Sequence, residues 1–299
     1  MKKYTVYQID AFTTEKFKGN PAGVVTDAQG LSEMDMLQIA RELNNSETVF
    51  LFPPDDDSHD VKLRYFTPTM EVPSCGHATI AAHYIRAIEK KLETSRVRQK
   101  IQIGILPVDI VKEDDYTIWM TQGAVEFSTI LRGAVRKRLL NALTLSEADV
   151  DERCPIQIVS TGHSKVMVGI TSRQTLNRLS PDQGMLRELS KEIGCNGYYV
   201  FCFASQPSPV LTHGRMFAPA IGIAEDPVTG NAHGPLGAYL VKHKLIAHDN
   251  TSFSFRGMQG EAIARSGTVD VEVAIEKGEP VQIKVGGKGT LVFKTEIEI

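Results

Sequence analysis

An internal repeat places the strongest constraint on what this sequence can fold into. When the chain is shifted by 151 positions, seven residues coincide within positions 45–68, where average residue usage gives roughly one or two. The coinciding pairs are Asn45 with Asn196, Val49 with Val200, Phe50 with Phe201, Phe52 with Phe203, Arg64 with Arg215, Phe66 with Phe217 and Pro68 with Pro219. After an insertion of three residues, Gly76 falls on Gly230 and Ala78 on Ala232. This order indicates an ancient duplication; the alternative is a chance match between two alternating strand patterns.

Most of the chain alternates between apolar and polar residues, as strands with one buried face do. Examples are segments 4–9, 60–66, 100–105, 165–170, 270–275 and 290–299. Helices are few. In LSEMDMLQIAREL, Ser32 is a suitable N-cap with Asp35 at the third helical position. Segment 180–194 has a similar character, and two more helices are predicted to begin at Cys75 and Thr229.

The two helices that begin at Cys75 and Thr229 are predicted to be central. The first has almost no polar face after Gly76, and a helix that is apolar all round within a mostly β chain is best covered by a sheet. The sequence therefore predicts an α+β fold with two similar lobes, each a curved, mostly antiparallel sheet around a central helix. The predicted lobes cover residues 1–120 and 125–287, with 288–299 crossing back to the first.

The duplication has a consequence for binding. Two copies of one unit are expected to pack about a pseudo-twofold axis, so that the turns at Gly76 and Gly230 face one cleft. Each turn leads into a helix start, where backbone N–H groups lack intrahelical partners and the helix dipole favours an anion. Two such helix starts predict a site for a small carboxylate.

Composition excludes several other classes of function. With 299 residues, 42% hydrophobic and 23% charged, the chain has the composition of a soluble globular protein. A net charge of -3 provides no basic field for nucleic acid or an anionic membrane. No stretch reaches the ~20 apolar residues of a membrane span, and the first residues alternate like a strand and unlike a signal peptide. Four cysteines in this context predict reduced thiols and a cytoplasmic location.

Several motifs, in the same order along the chain, carry a resemblance to a known family. They are GNPAGVV at 19–25, SETVF at 46–50, FTP at 66–68 with EVPSCGHAT at 71–79, EDPVTG at 225–230, QG at 259–260 and VGG at 285–287. The whole chain resembles the PhzF-like phenazine-biosynthesis proteins of the diaminopimelate-epimerase-like superfamily. The resemblance implies two similar lobes with the active site between them. It also implies isomerisation of small carboxylic acids without a cofactor, by a protein that is often a homodimer.

The resemblance identifies Glu47 as the general acid/base. Its repeat partner is Tyr198, so the shared fold does not require a carboxylate there. A carboxyl group can move a proton between carbon atoms, or between carbon and solvent; the alternative is a solvated glutamate at a strand edge. His77 and Asn231 occupy equivalent places at the two helix starts and are predicted to face the ligand, although a lone histidine can also be a satisfied core group.

Asp226, in EDPVTG, is the second active-site carboxylate that the resemblance implies, binding an amino or hydroxyl group or sharing a proton with His77. The alternative is an Asx-type turn or cap. Glu225 is a weaker candidate for the same cleft. The backbone N–H groups of Gly76, His77, Gly230 and Asn231 would hold the substrate carboxylate.

Cys75 and Thr229 bear on a different chemistry. In the epimerase branch of the superfamily two cysteines at these places move the proton, but here the second is Thr229, whose hydroxyl is a much weaker acid than a thiol. Cys75 is therefore predicted to be a small buried cap residue beside the substrate. No metal site is predicted, because His77 and His83 are six residues apart and there is no Cys/His group at zinc spacing. Segment 285–289 lacks the ending of a phosphate loop and is predicted to form a tight turn.

The sequence thus predicts a cofactor-independent isomerase that acts on a small carboxylic acid, with Glu47 moving the proton and His77 and Asp226 orienting the substrate. Two alternatives remain. One is a racemase or epimerase that uses Cys75; the other is a protein that binds a small carboxylate without catalysis.

Overall fold

The computed structural model describes residues 2–299. Contacts between Cα atoms divide the chain into two compact units. Unit 1 comprises residues 1–121 and 286–299, and unit 2 comprises residues 122–285. The predicted limits at 120, 125 and 287 lie within a few residues of these boundaries. The C-terminal segment belongs to unit 1.

Unit 1 contains two helices and nine strands among its described residues. The helices are α1 (Glu33–Leu43) and α2 (Gly76–Lys90). The strands are β1 (Lys3–Ala11), β2 (Asn20–Val25), β3 (Thr48–Phe52), β4 (Val61–Phe66), β5 (Glu71–Val72), β6 (Ser95–Ile101), β7 (Gly104–Lys112), β8 (Tyr116–Thr121) and β18 (Gly289–Glu298).

Helix α1 begins where the sequence predicts. Ser32 accepts a hydrogen bond from the backbone N–H of Asp35, and the Asp35 side chain accepts one in return from the Ser32 backbone. This reciprocal pair satisfies N–H groups that would otherwise lack partners at the helix start. The helix ends at Asn44, which adopts the left-handed conformation (φ 51°), so the chain turns at once towards β3.

The sheet of unit 1 is mixed. Strand β1 pairs antiparallel with both β2 and β18, which brings the C-terminal strand into this unit. Strand β2 is parallel to β3, β3 is antiparallel to β4, and β4 is parallel to β6. Strands β6, β7 and β8 then follow in antiparallel order. Helix α2 is the central helix: its residues 77–87 are all buried, and it contacts strands of this sheet.

Unit 2 contains four α-helices, three single-turn 3-10 helices and nine strands. The helices are α3 (Gly133–Ala142), α4 (Arg173–Arg178), α5 (Gln183–Ile193) and α6 (Gly230–Lys242). The strands are β9 (Glu126–Ile130), β10 (Gln157–Ser160), β11 (Lys165–Gly169), β12 (Gly197–Phe203), β13 (Thr212–Ala218), β14 (Ile223–Asp226), β15 (Ser252–Gln259), β16 (Gly267–Glu276) and β17 (Glu279–Gly287, which ends in unit 1).

The strand pairings of unit 1 recur in unit 2. Strand β10 is antiparallel to β11, β11 is parallel to β12, β12 is antiparallel to β13, and β13 is parallel to β15. Helix α5 precedes β12 as α1 precedes β3, and α6 is buried along residues 232–241 as α2 is in its own unit. The prediction of an α+β fold with two similar units, each around a central helix, is confirmed.

The prediction of a tight turn at 285–289 is wrong in part, because Gly286 and Gly287 continue strand β17. Their hydrogens face aromatic rings: a Cβ on Gly286 would lie 2.4 Å from the Trp119 ring, and one on Gly287 would lie 2.5 Å from the Phe12 ring. The glycines therefore let two aromatic side chains pack against the strand backbone. Among residues 2–299, none of the helices combines the length and the apolar character that crossing a membrane requires.

Candidate functional site

The start of α2 is set by the residues that precede it. Pro73 and Ser74 follow the short strand β5, and Cys75 is the N-cap in an extended conformation (φ -150°, ψ 123°). Its side chain makes no capping hydrogen bond to the described residues. Cys75 is half-buried, whereas the sequence predicts a small buried cap residue. The thiol therefore lies at the helix start but does not cap the helix.

Glu47 and His77 meet at this helix start. The Oε2 atom of Glu47 lies 3.4 Å from the Nε2 atom of His77, and the two side chains are only 15% and 9% exposed. Glu47 comes directly before β3, in the turn that Asn44 begins, so its position is fixed by elements on both sides. This burial is inconsistent with a solvated glutamate at a strand edge.

His77 also contacts two smaller side chains. The hydroxyl oxygen of Ser46 lies 3.3 Å from Nε2, and the sulfur of Cys75 lies 3.4 Å from Nδ1. The imidazole therefore has a polar partner on each ring nitrogen and links the carboxylate to the thiol. A group arranged in this way can relay or orient a proton at a helix start.

The start of α2 is tied to the sheet by Thr79. The Thr79 hydroxyl donates to the carbonyl oxygen of Cys75 at 2.7 Å and lies 2.7 Å from the hydroxyl of buried Tyr65 on β4. Burial is the main cause that raises the pKa of Tyr65, so this phenol stays neutral and can remain a hydrogen-bond donor. The pair holds the first turn of α2, and hence His77, in place.

In unit 2 the corresponding helix start is built around Asp226 and Thr229. Asp226 is only 8% exposed, and its Oδ2 accepts a hydrogen bond from the hydroxyl of Thr229. The side chain of Gln259, which is fully buried, donates to the carbonyl oxygen of Asp226 at 2.7 Å and accepts from the backbone N–H of Thr229 at 3.2 Å. The turn before α6 is thereby fixed at both ends. The bond from Thr229 to Asp226 joins two side chains, whereas an Asx-type turn or cap would accept from a backbone N–H.

Asn231 is held by a neighbour that the sequence does not suggest. Its Oδ1 accepts a hydrogen bond from the side chain of Gln122 at 2.9 Å, and Thr161 donates to Gln122 Oε1 at 2.6 Å. A Cβ on Gly234 would collide with the Gln122 amide, so that glycine makes room for it. The amide of Asn231 therefore has a set orientation beside the start of α6.

His233 plays the part in unit 2 that Thr79 plays in unit 1. Its Nδ1 lies 3.0 Å from the carbonyl oxygen of Thr229 and its Nε2 lies 3.0 Å from the hydroxyl of Tyr199 on β12. A carbonyl can only accept, so we assign the ring proton to Nδ1. Burial lowers the pKa of His233 to about 4, so the ring is neutral at physiological pH.

Glu225 has a structural partner. It forms a bidentate ion pair with Arg215, at 2.9 and 2.6 Å, and Arg215 also donates to the carbonyl oxygens of Leu176 and Leu179. Arg64 and Glu71 form the matching pair in unit 1. A carboxylate held in this way has a packing role, which sets Glu225 apart from Asp226.

Lys165 is a buried polar residue that sequence reasoning did not select. Its side chain is on β11 and passes over Gly197 on β12, where a Cβ would lie 2.5 Å from the lysine Cδ. Its amine donates to the carbonyl oxygen of Ser164, and burial lowers its pKa while the charge of Asp226 acts against this shift. The sequence signal that could have identified Lys165 is a lysine in an otherwise apolar strand, opposite a glycine of the neighbouring strand.

Comparisons with known proteins show the family to which the chain belongs. A family model described as "Phenazine biosynthesis-like protein" matches residues 9–295. An uncharacterized isomerase of Clostridium acetobutylicum is 60% identical over 298 residues, which cover 99% of each chain. The trans-2,3-dihydro-3-hydroxyanthranilate isomerase of Pseudomonas aeruginosa is 32% identical over 97% of this chain and 96% of its own. The crystal structure of a PhzF-family phenazine biosynthesis protein of Bacillus anthracis superimposes with a TM-score of 0.90 at 33% identity, covering 100% of both chains.

Proposed function

The chain belongs to the phenazine biosynthesis-like family and is an isomerase, and from this premise we propose that it moves a proton on a small carboxylic acid by general acid/base catalysis. One observation carries the proposal: the carboxylate of Glu47 is largely enclosed, with its side chain 15% exposed, beside His77 at the start of a central helix. A largely enclosed carboxylate with an imidazole partner is suited to taking a proton from carbon and returning it elsewhere.

In this proposal Glu47 carries the proton and His77 orients the substrate. When Glu47 takes a proton from a carbon of the substrate, the electron pair of the C–H bond moves into the adjacent π system. The same carboxyl group then delivers a proton to another carbon, so that atoms and charge balance without a redox partner. His77 contacts Glu47 on one side and Cys75 on the other, and in this proposal it orients the carboxylate.

The substrate carboxylate is proposed to bind backbone N–H groups at the helix starts, at Gly76, His77, Gly230 and Asn231. A helix start supplies both the donors and the favourable dipole end. Asp226 and Thr229 are proposed to bind an amino or hydroxyl group of the substrate; the support is their fixed, mutually bonded geometry in unit 2. That a single substrate uses the helix starts of both units, and that the protein is a cytoplasmic homodimer, are predictions.

We propose a cyclic, amino-substituted carboxylic acid as the substrate class. The support is the relative at 32% identity, whose name gives its substrate as trans-2,3-dihydro-3-hydroxyanthranilate. The test is incubation of the protein with that compound and with a panel of cyclic amino carboxylates in deuterium oxide, followed by mass spectrometry. Deuterium bound to carbon is expected in at least one of them. Saturable binding without uptake of deuterium contradicts catalysis and supports a binding protein.

A second candidate, a racemase or epimerase that uses a thiol, is favoured by the Cys75 sulfur lying 3.4 Å from the His77 ring. The two candidates differ in their response to Cys75→Ser. If the thiol carries the proton, this variant loses turnover as severely as Glu47→Gln does. If Glu47 carries it, the loss in Glu47→Gln is much the larger.

A further inference from the structure

The start of α2 brings together three side chains with the donor atoms of a zinc site. They are the carboxylate of Glu47, the thiol of Cys75 and the imidazole of His77, and their ligand atoms all lie within 4.8 Å of one another. Spacing along the sequence does not reveal this group, because Glu47 is on the turn before β3 while the other two begin α2. The absence of a metal site was the prediction from sequence; the fold supplies a donor set that the sequence spacing hides.

The distances between the three donors fit tetrahedral coordination. With zinc bonds of about 2.0 to 2.3 Å, neighbouring donor atoms of a tetrahedron are about 3.3 to 3.6 Å apart. The His77 Nε2 atom lies 3.4 Å from Glu47 Oε2 and 3.9 Å from the Cys75 sulfur. The third edge, from carboxylate to sulfur, is at most 4.8 Å, so closure needs a movement of only about 1 Å.

We infer that Glu47, Cys75 and His77 form a binding site for a thiophilic divalent cation, with Zn²⁺ as the best match. Thiolate and imidazole donors select zinc over magnesium or calcium, which prefer oxygen ligands. On binding, the S–H bond of Cys75 breaks, a sulfur–zinc bond forms, and the proton leaves to solvent. The fourth position is open to water or to the Ser46 hydroxyl, which lies 3.3 Å from His77 Nε2.

The charges balance in this site. A thiolate and a carboxylate together neutralise a divalent cation, and the imidazole binds in its neutral form. The positive end of the α2 dipole opposes the cation but favours the thiolate that binds it. The two ligands that carry charge, Glu47 and Cys75, are at least half-buried. Solvent therefore screens their interaction with the cation only weakly.

Two other sets of possible ligands in the described chain are less suited to binding a metal. Asp55, Asp56 and His59 also cluster, but ammonium groups of Lys62 and Lys100 already lie 3.1 and 2.6 Å from Asp55. The remaining cysteines are buried, and burial raises the pKa of Cys154 to about 12 and of Cys202 to about 11, which keeps these thiols protonated. The site at α2 is therefore where zinc is expected.

Zinc at this site has a consequence that rests on the proposed function. Its ligands include Glu47, the proposed proton carrier, and a carboxylate bound to a metal is not available to take a proton from carbon. The metal-free protein is then the active form, and zinc is a reversible inhibitor that competes with substrate.

The test is equilibrium zinc binding to the full chain, measured by calorimetry and by competition with a chromophoric chelator. One zinc ion per chain is expected, with at least a tenfold weaker affinity in Cys75→Ser and in Glu47→Gln. With Co²⁺ as a probe, a sulfur-to-cobalt charge-transfer band is expected in the native protein and is expected to be absent in Cys75→Ser. Cys195→Ser and Asp55→Asn are the matched controls, and both should bind zinc as the native protein does.

Three outcomes overturn the inference: no zinc binding by the native protein, undiminished binding by Cys75→Ser, or loss of binding in Asp55→Asn alone. Circular dichroism checks that each variant is folded, and Glu47→Gln provides a second variant if Cys75→Ser is not. Deuterium exchange in the presence of a chelator tests the proposed function separately. If zinc binds at this site but does not slow deuterium exchange into the substrate, the inhibitory role of zinc is contradicted, while the binding site and the proposed function are not.

Discussion

Buried histidines in this protein differ in what their ring nitrogens contact. His77 has a carboxylate, a hydroxyl and a thiol around it, whereas the partner of His83, in the middle of α2, is the Gln99 side chain, 2.9 Å from its Nε2. The Nδ1 atom of His83 has no partner among the described residues. A protonated imidazole needs an acceptor at both nitrogens, so the ring of His83 is held neutral.

This environment predicts a stability that depends on pH. Burial lowers the pKa of His83 from its ordinary value of 6.5 to about 4. The unfolded state therefore binds more protons between these values, and stability falls as pH drops from 6.5 towards 4. The loss is on the order of 2 to 3 kcal/mol for this histidine. His233 has a similar shift and adds to the effect.

The measurement is urea unfolding of the native protein and of His83→Gln at pH 7 and pH 5. The difference in free energy of unfolding between the two pH values should be clearly smaller in His83→Gln. His248→Gln, which removes a histidine from a loop, serves as control. An unchanged difference in His83→Gln contradicts the assignment.

Much of the candidate site was accessible from sequence at the level of single residues, because motifs mark Glu47, His77, Asp226 and Asn231. The contacts that these residues make in the fold were not accessible from sequence. The pairs Glu47–His77 and Asn231–Gln122 join residues 30 and 109 positions apart, and no periodicity reports such contacts. The burial of Lys165 over Gly197 depends on the pairing of β11 with β12, which alternation alone does not define.

Among the secondary-structure elements, the two central helices have starts that are tied to the sheet in the same manner. In α2 a buried tyrosine bonds to Thr79, which bonds back to the carbonyl of the N-cap residue; in α6 Tyr199 and His233 do the same. Among the described residues, neither N-cap side chain makes a capping hydrogen bond to its own helix. Each helix start is therefore fixed by hydrogen bonds from buried side chains of its own unit. The backbone N–H groups of the first turn are left for a ligand.

Thr79→Val tests this arrangement. Valine keeps the shape of threonine but leaves the Tyr65 hydroxyl without its partner, so we expect a loss of about 1 to 3 kcal/mol in the free energy of unfolding. We also expect slower deuterium exchange, because the start of α2 carries His77. Ser32→Ala at the cap of α1 is the matched control; it should cost about 1 kcal/mol and leave exchange unaltered. Equal exchange rates in Thr79→Val and the native protein contradict the positioning role.

The helices were predictable to different degrees. The capping box at Ser32 gave the start of α1, and the apolar runs after Gly76 and Gly230 gave the central helices. The six-residue helix α4 was missed, since one buried residue, Leu176, leaves too little periodicity to detect. The sequence predicts a tight turn at 285–289, where Gly286 and Gly287 instead continue strand β17, because the aromatic rings that pack on these glycines are distant in sequence.

For the whole molecule, the repeat extends to ion pairs. Arg64 with Glu71 and Arg215 with Glu225 are bidentate pairs, and each guanidinium also lies over a phenylalanine ring of its own unit. They differ in burial. The side chains of the first pair are 25% and 26% exposed, and those of the second are 8% and 14% exposed.

The difference in burial predicts different costs for the same substitution. Glu225→Gln leaves a buried guanidinium without its charge partner and should destabilise the protein by about 3 kcal/mol. Glu71→Gln acts on a pair that water screens in part, so about 1 kcal/mol is expected. Denaturant unfolding of the two variants provides the comparison, and a larger cost for Glu71→Gln contradicts the ranking.

The repeat also predicts that the two helix starts serve one substrate. If they do, His77→Ala and Asn231→Ala should be coupled, so that the combined loss in kcat/KM departs from the sum of the single losses. A double-mutant cycle measured with the exchanging substrate provides the test. Strict additivity in free energy contradicts a shared substrate.

The most direct measurement is the rate at which the protein places deuterium on substrate carbon in deuterium oxide, compared between Glu47→Gln and Glu42→Gln. Glutamine keeps the size of glutamate but cannot exchange a proton in this way, and Glu42 is an exposed residue of α1. We predict a loss of roughly 100- to 10,000-fold for Glu47→Gln and a native rate for Glu42→Gln. Exchange at the native rate in a folded Glu47→Gln protein would contradict the assignment of Glu47 as the proton carrier.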